Sequence, residues 1–296
     1  MEAVQSALTQ DYLRLEVLVS DDGNSNSIRE WCLQQLRNDH RLRYRRNAHT
    51  LGLAANWNVL AREATGEYLV IIGDDDRLLP GFVSRLVAGA HDADVVFCNH
   101  YVIDSDGRRL EEFSYEYTRR YHRDELSAGK LDEAAVAVWR NAVPMSASLV
   151  RADVVRRLKF KEDLNTPEIE LFARLAADSG RFVFVPDYLA EYRVHSGSAT
   201  SSGLTVERLA RYLEPLPVPP SIEEYKRELL EGMMPSAVSH ALYQGDTELA
   251  RRLLRSPYYG GDGGAKTLVM RCCASIPWVG PIAFRFMQRL RRRRAV

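Results

Sequence analysis

An apolar run that leads straight into three consecutive acids limits what this chain can become. Residues 67–80 read Glu-Tyr-Leu-Val-Ile-Ile-Gly-Asp-Asp-Asp-Arg-Leu-Leu-Pro. The run 68–72 is rich in β-branched and aromatic residues and predicts a buried strand. Gly73 lets the backbone turn, and Pro80 stands near the first position of a helical pattern over 82–87. Asp74, Asp75 and Asp76 therefore fall between a strand end and a helix start. In open α/β sheets, ligands gather at the carboxyl ends of strands. Neighbouring carboxylates repel unless a positive charge is shared between them. Mg²⁺ and Mn²⁺ take such oxygen ligands together with substrate phosphates. An acidic turn in which one Asp caps the helix is the plainer alternative, and these residues alone leave it open.

The flanking chain alternates in the same way. Residues 15–20 predict a strand running into the polar turn 21–26, and 28–36 an amphipathic helix. A short strand over 42–45 precedes a helix over 51–64, with Leu53, Trp57, Leu60, Ala61 and Ala64 on one face. Further strands are expected at 93–99, 146–150, 182–185 and 189–194, and helices at 131–139, 152–158 and 168–178. Residues 108–130 read as loop with some helix. This order predicts an α/β fold, a mostly parallel sheet flanked by helices, over residues 1–200. Residues 201–296 are expected to form a helical C-terminal region, broken at 215–220 and 260–264. Trp57 and Trp139 are expected in the core.

The 40 basic and 40 acidic residues cancel, so overall charge predicts no nucleic-acid partner. The four cysteines lack zinc-type spacing and are expected as reduced thiols of a cytoplasmic protein. No run of 18 apolar residues is present and no signal peptide follows Met1. The end of the chain, 266–296, is basic and amphipathic, with Trp278, Phe284 and Phe286 beside Arg285, Arg289 and Arg291–Arg294. That composition suits peripheral contact with an anionic membrane face, or a helix packed on the protein with a solvated arginine tail.

Taken in order, these segments resemble a family-2 glycosyltransferase of the GT-A fold. Ser6, Gln10 and Tyr12 match its first helix end, and 17–25 its second strand and turn. Asn47, Gly52 and Asn56 keep the spacing of its Asn…Gly…Asn segment. Residues 65–68 lead into the acidic strand, 168–175 resemble its catalytic-base helix, and 192–198 resemble the loop that closes the site. The resemblance covers roughly the first 200 residues. It implies that Asp22 contacts the nucleotide base, that Asn56 belongs to the nucleotide site and that Asp74 lies near the ribose. It further implies that Asp75 holds Mn²⁺ or Mg²⁺, with His195 near the metal or diphosphate, and that Glu168 is the catalytic base. Glu170, in the same helical turn, competes for that last role.

Three departures stand out. Gly73 occupies a position where the motif usually begins with Asp, Ala55 replaces a basic residue before Asn56, and Pro167-Glu168 replaces an Glu-Asp pair. The family's first strand has no counterpart before Glu2, which predicts unpaired neighbouring edges and either an upstream start or a poorly folding chain. The implied activity is inverting, metal-dependent transfer of a sugar from a nucleoside-diphosphate sugar to a hydroxyl of a saccharide or lipid-linked acceptor, in polysaccharide, cell-envelope or glycoconjugate synthesis. A nucleotidyltransferase would need a glycine-rich phosphate loop that this chain does not supply. A non-catalytic nucleotide-sugar-binding scaffold is the other alternative.

Overall fold

The computed structural model describes residues 1–23, 26–195, 205–260 and 264–294, with side chains in the last helix described as far as Phe286. The chain divides into two compact units, Met1–Gly203 and Leu204–Val296. The first runs α1 (Glu2–Leu8), β1 (Val17–Asp21), α2 (Asn26–Gln35), β2 (Leu42–Arg46), α3 (Leu53–Glu63), β3 (Tyr68–Leu69), β4 (Arg77–Leu78), α4 (Phe82–Ala88) and β5 (Val95–Ile103). It continues through α5 (Glu111–Arg120), β6 (Gly129–Lys130), α6 (Ala134–Trp139), β7 (Ser148–Arg151), α7 (Ala152–Leu158), α8 (Pro167–Ala177) and β8 (Phe182–Arg193).

The layered α/β architecture expected from the sequence is present, but its strand directions are mixed. The main sheet has the order β3-β7-β5-β8-β4, with β6 also on β8. Only β5/β8 and the separate pair β1/β2 are parallel; β3/β7, β5/β7, β4/β8 and β6/β8 are antiparallel. Alternating helices suggested parallel crossovers, whereas β4, β6 and the four-residue β7 run against β5 and β8, in segments too short to show a period. β5 is central and buried along almost its whole length, which is why Val95-Val96-Phe97-Cys98 is a continuous apolar run. Leu78, Phe82, Leu86 and Leu149 cluster with its Val96. On α8, Phe172 meets Phe182 of β8 edge-on at 6.1 Å.

The two strands expected at 182–185 and 189–194 are one. Pro186 breaks the ladder, and β5 answers with register shifts at Cys98/Asn99 and Asn99/His100. The Asn99 side-chain amide donates to the Pro186 carbonyl at 2.9 Å across the interruption. Just upstream, a Cβ on Gly180 would lie 2.5 Å from Leu175 Cγ, so the α8–β8 turn closes only over a glycine.

The predicted strand 68–72 pairs for only two residues. Among the described residues, no backbone hydrogen bond engages 70–72, and β1 pairs with β2 alone. The sheet is thus split between β1 and β3. A cavity of about 1580 Å³ occupies that split, lined along most of its length by apolar groups such as Leu18, Trp57, Leu60, Leu69, Ile71 and Val83. Unpaired backbone exchanges its amide protons readily. Hydrogen exchange should therefore be about 10³-fold faster at Val70–Ile72 than at Val95–Phe97. Equal protection in the two segments would mean that the split is closed in solution.

The second unit comprises α9 (Val206–Leu213), α10 (Glu223–Gln244), α11 (Thr247–Leu254), α12 (Ala265–Ser275) and α13 (Val279–Arg294). Its buried Lys226 ammonium donates to the carbonyls of Glu214 and Leu216, and the carboxylate of buried Glu207 meets His240 at 2.6 Å. Among the described residues, no helix is long and apolar enough to cross a membrane, and the four cysteines are free.

Candidate active site

β1 ends at Asp21 and Asp22 follows it, and each side chain is engaged. Asp21 is buried and accepts from the Tyr44 hydroxyl at 2.7 Å. Asp22 accepts from the amides of Leu51 and Gly52 and from Asn47 Nδ2, all at 2.8 Å. Burial alone would raise the Asp22 pKa, but these donors together hold it below the usual carboxylate range. Asn47 Nδ2 also donates to Asn56 Oδ1 at 2.9 Å, which accepts from Ser20 Oγ at 2.6 Å. One polar network therefore locks the end of β1 to the turn at Gly52 (φ 87°) and to the first turn of α3. The Asn…Gly…Asn spacing is explained by this lock. Asp22 organises the loop, so Asp22→Ala should cost about 2–3 kcal/mol of stability by orphaning three donors. A thermal or urea melt checks this; an unchanged midpoint would show that the network is dispensable.

Asp74, Asp75 and Asp76 have three different environments. Asp74 is exposed and lines the same cavity as Ser20, Asp22, Asn56 and Gly73, at its polar end. Asp75 is one-third exposed and its Oδ2 meets His195 Nε2 at 3.0 Å. Asp76 is buried and accepts from the Arg193 amide at 3.0 Å. Burial pushes its pKa up to about 6; the Arg193 amide opposes the rise and the Asp75 charge adds to it. Asp76 is thus a pin between the acidic turn and the end of β8, a role that the sequence reading gave to no residue. Arg193 completes the pin: its guanidinium donates to the carbonyls of Asp75, Asp104 and Ser105 and pairs with Glu2.

Gly73 has a local reason. A Cβ there would come within 2.6 Å of Asp75 Oδ1, so the Asp75 side chain lies over the space that the more usual Asp would need. Among the described residues, no three His, Cys, Asp or Glu side chains converge as a metal cage. The pair Asp75–His195 still fits Mn²⁺ or Mg²⁺, which take few protein ligands when phosphate oxygens and water complete the shell.

Glu168 stands in the first turn of α8, after Pro167. Its Oε2 is shut off from solvent and meets no partner, as does Oγ1 of nearby Thr166. Burial raises the Glu168 pKa to about 7. Glu170 is already committed, because Arg174 Nε and Nη2 grip its two oxygens at 2.6 and 2.7 Å. The structure therefore brings together Asp22 with Asn56, and Asp75 with His195. The cavity lining takes in Asp22, Asn56 and Asp74 but not Asp75, His195 or Glu168, and no described contact joins Glu168 to the acidic corner. Residues 196–198 of the expected closing loop, and Asn24 and Ser25 of the turn after β1, lie outside the described residues.

Residues 1–142 match the sequence profile described as Glycosyl transferase family 2, a span that holds the β1 turn and the acidic corner. Residues 1–142 therefore carry the sequence of glycosyl transferase family 2. Glu168 lies beyond the matched span, so its role rests on its surroundings. Glycosyltransferase GlyG of Streptococcus pneumoniae serotype 4 is 26% identical over 205 residues, 67% of each chain. The GalNAc(5)-diNAcBac-PP-undecaprenol beta-1,3-glucosyltransferase of Campylobacter jejuni is 31% identical over 114 residues, 38% of this chain and 37% of its own. Among solved structures, S. aureus TarS with UDP-GlcNAc superposes with a TM-score of 0.64 at 13% identity, over 96% of this chain and 84% of that one. Mannosyltransferase PcManGT from Pyrobaculum calidifontis, with GDP-Man and Mn²⁺, gives 0.57 at 17%, over 97% and 79%. These likenesses establish the GT-A fold.

Proposed function

We propose that this family-2 enzyme inverts the anomeric carbon of a nucleoside-diphosphate sugar in one in-line displacement, with Glu168 as general base. The observation that supports it most is the contrast within one helical turn. Glu168 is half-buried, with its Oε2 shut off from solvent and without a partner and its pKa raised to about 7, whereas both oxygens of buried Glu170 are held by Arg174. The Glu168 carboxylate takes the proton of the acceptor hydroxyl as its oxygen bonds to C1. The bond from C1 to the diphosphate oxygen breaks on the opposite face, and the nucleoside diphosphate leaves with the electron pair. Asp75 and His195 would hold Mn²⁺ or Mg²⁺, which supplies positive charge for the diphosphate when bound. Asp22 and Asn56 shape the nucleotide end through the Asn47 network, and Asp74 faces the ribose.

The acceptor would be a saccharide or a lipid-linked sugar of the cell envelope or another glycoconjugate. The undecaprenol-linked acceptor named for the Campylobacter relative supports that class. A panel of sugar nucleotides screened by thermal shift with Mn²⁺ tests site and donor together. At about 100-fold excess over Kd, the right donor should add about 2.7 kcal/mol, or several degrees in Tm. Proton NMR of the transferred sugar should then show the anomer opposite to the donor's. A retained anomer would remove the single displacement, and no response to any donor would favour a non-catalytic protein.

A further inference from the structure

Among the described residues, twelve large apolar side chains are exposed, and six of them fall between 268 and 286: Leu268, Ile276, Trp278, Val279, Ile282 and Phe286. They do not belong to a core awaiting contacts, because α12 and α13 already use their other faces. Met270, Cys273, Ala274 and Phe284 are buried, and a Cβ on Gly280 would lie 1.8 Å from the Cys273 carbonyl oxygen. The helices therefore meet backbone to backbone at Gly280, and the apolar groups face outward.

The turn between them is unusual in composition and geometry. Residues 276–279, Ile-Pro-Trp-Val, are exposed in succession, and Trp278 is 87% exposed at φ 74°. A bulky residue rarely adopts positive φ, so the turn holds an indole in solvent against both hydration and backbone preference. Its ends are pinned by the Gly280 amide on the Ile276 carbonyl at 2.9 Å. Charge is equally one-sided. Residues 265–296 hold eight basic residues and no acid, within a chain whose 40 basic and 40 acidic residues balance. An apolar turn with Trp at its tip, Ile and Phe behind it and unopposed positive charge matches the boundary between anionic headgroups and acyl chains. A protein interface core would instead be poor in charge.

We propose that α12 and α13 form a docking hairpin for a bilayer containing anionic phospholipid. Trp278, Val279, Ile282 and Phe286 enter the headgroup–acyl boundary, and Arg271 and Arg285 meet the phosphates. The proposal is independent of the sugar-transfer reading, because it needs no donor, metal or base.

The test is co-sedimentation of the full chain with vesicles of phosphatidylcholine alone or with about 30% phosphatidylglycerol. The anionic vesicles should bind at least about tenfold more tightly, and raising salt from about 0.1 to 0.5 M should remove most of that preference. Trp278→Ser/Ile282→Ser/Phe286→Ser should lose about tenfold or more in vesicle binding. Trp278→Phe should keep binding but lose the vesicle-induced blue shift of tryptophan emission, a readout that does not depend on the triple variant folding. Equal binding to both vesicle types, or no emission shift in the parent chain, would overturn the proposal. So would a concentration-dependent dimer that the triple variant dissociates, without vesicle binding, since a second copy would then be the occupant.

Discussion

Glu168→Gln should slow sugar transfer by about 10²–10⁴-fold while leaving donor affinity within about twofold. The amide preserves shape and cannot accept the proton. The pH profile carries the argument further. With its pKa at about 7, Glu168 is ionised above neutrality. The parent rate should fall about tenfold per pH unit below that point, and the residual rate of the variant should be flat. Stability should move the other way. Below pH 4.5 the carboxyl is neutral in both folded and unfolded chains and its burial costs no charge. Between 4.5 and 7 the unfolded chain gives up its proton first, and above 7 the folded state carries the full cost of an enclosed charge. That cost is on the order of 3 kcal/mol, so Glu168→Gln should melt higher than the parent at pH 8 and equally at pH 4. Glu170→Gln is the control. It breaks the pair with Arg174, costing about 3 kcal/mol of stability with kcat retained. If Glu170→Gln kills transfer and Glu168→Gln does not, the roles are reversed.

Asp75→Ala should reduce kcat/KM by about 10²–10³-fold and abolish any enhancement of donor binding by Mn²⁺. His195→Gln, which keeps a polar group beside Asp75, should cost about tenfold. Titrating donor into each variant with Mn²⁺ and with EDTA, by calorimetry, separates metal binding from folding. Transfer at full rate in EDTA would remove the cation while leaving the displacement intact. Donor binding by Asp75→Ala that still responds to Mn²⁺ would move the metal elsewhere, with exposed Asp74 the next acid to test.

The strands and helices that carry a repeating apolar pattern were legible without coordinates, and so was the acidic corner. β5 announces itself by an unbroken apolar run, α8 by Leu171, Phe172 and Leu175 after a proline. Illegible features depend on partners distant in sequence. The two-residue strands β3 and β4 exist because β7 and β8 pair with them. The continuity of β8 across Pro186 depends on Asn99, 87 residues away. Asp22 looks like a ligand-facing acid, yet three donors from 47–52 absorb its oxygens. Three identical acids in a row cannot reveal that one is exposed, one meets a histidine and one is buried; β8 assigns those differences. Nor does composition foretell Arg123, 2% exposed and bonded to Asn99 Oδ1, whose pKa burial lowers to about 10.

Arg193 gives the acidic corner an unexpected correspondent. The same guanidinium that steadies the Asp75 carbonyl also grasps Glu2, 191 positions earlier. Whatever tugs on the opening helix is therefore felt at the acidic corner. An affinity tag fused ahead of Met1 should alter catalytic constants without altering the circular dichroism spectrum, and the same tag moved to the far terminus should not.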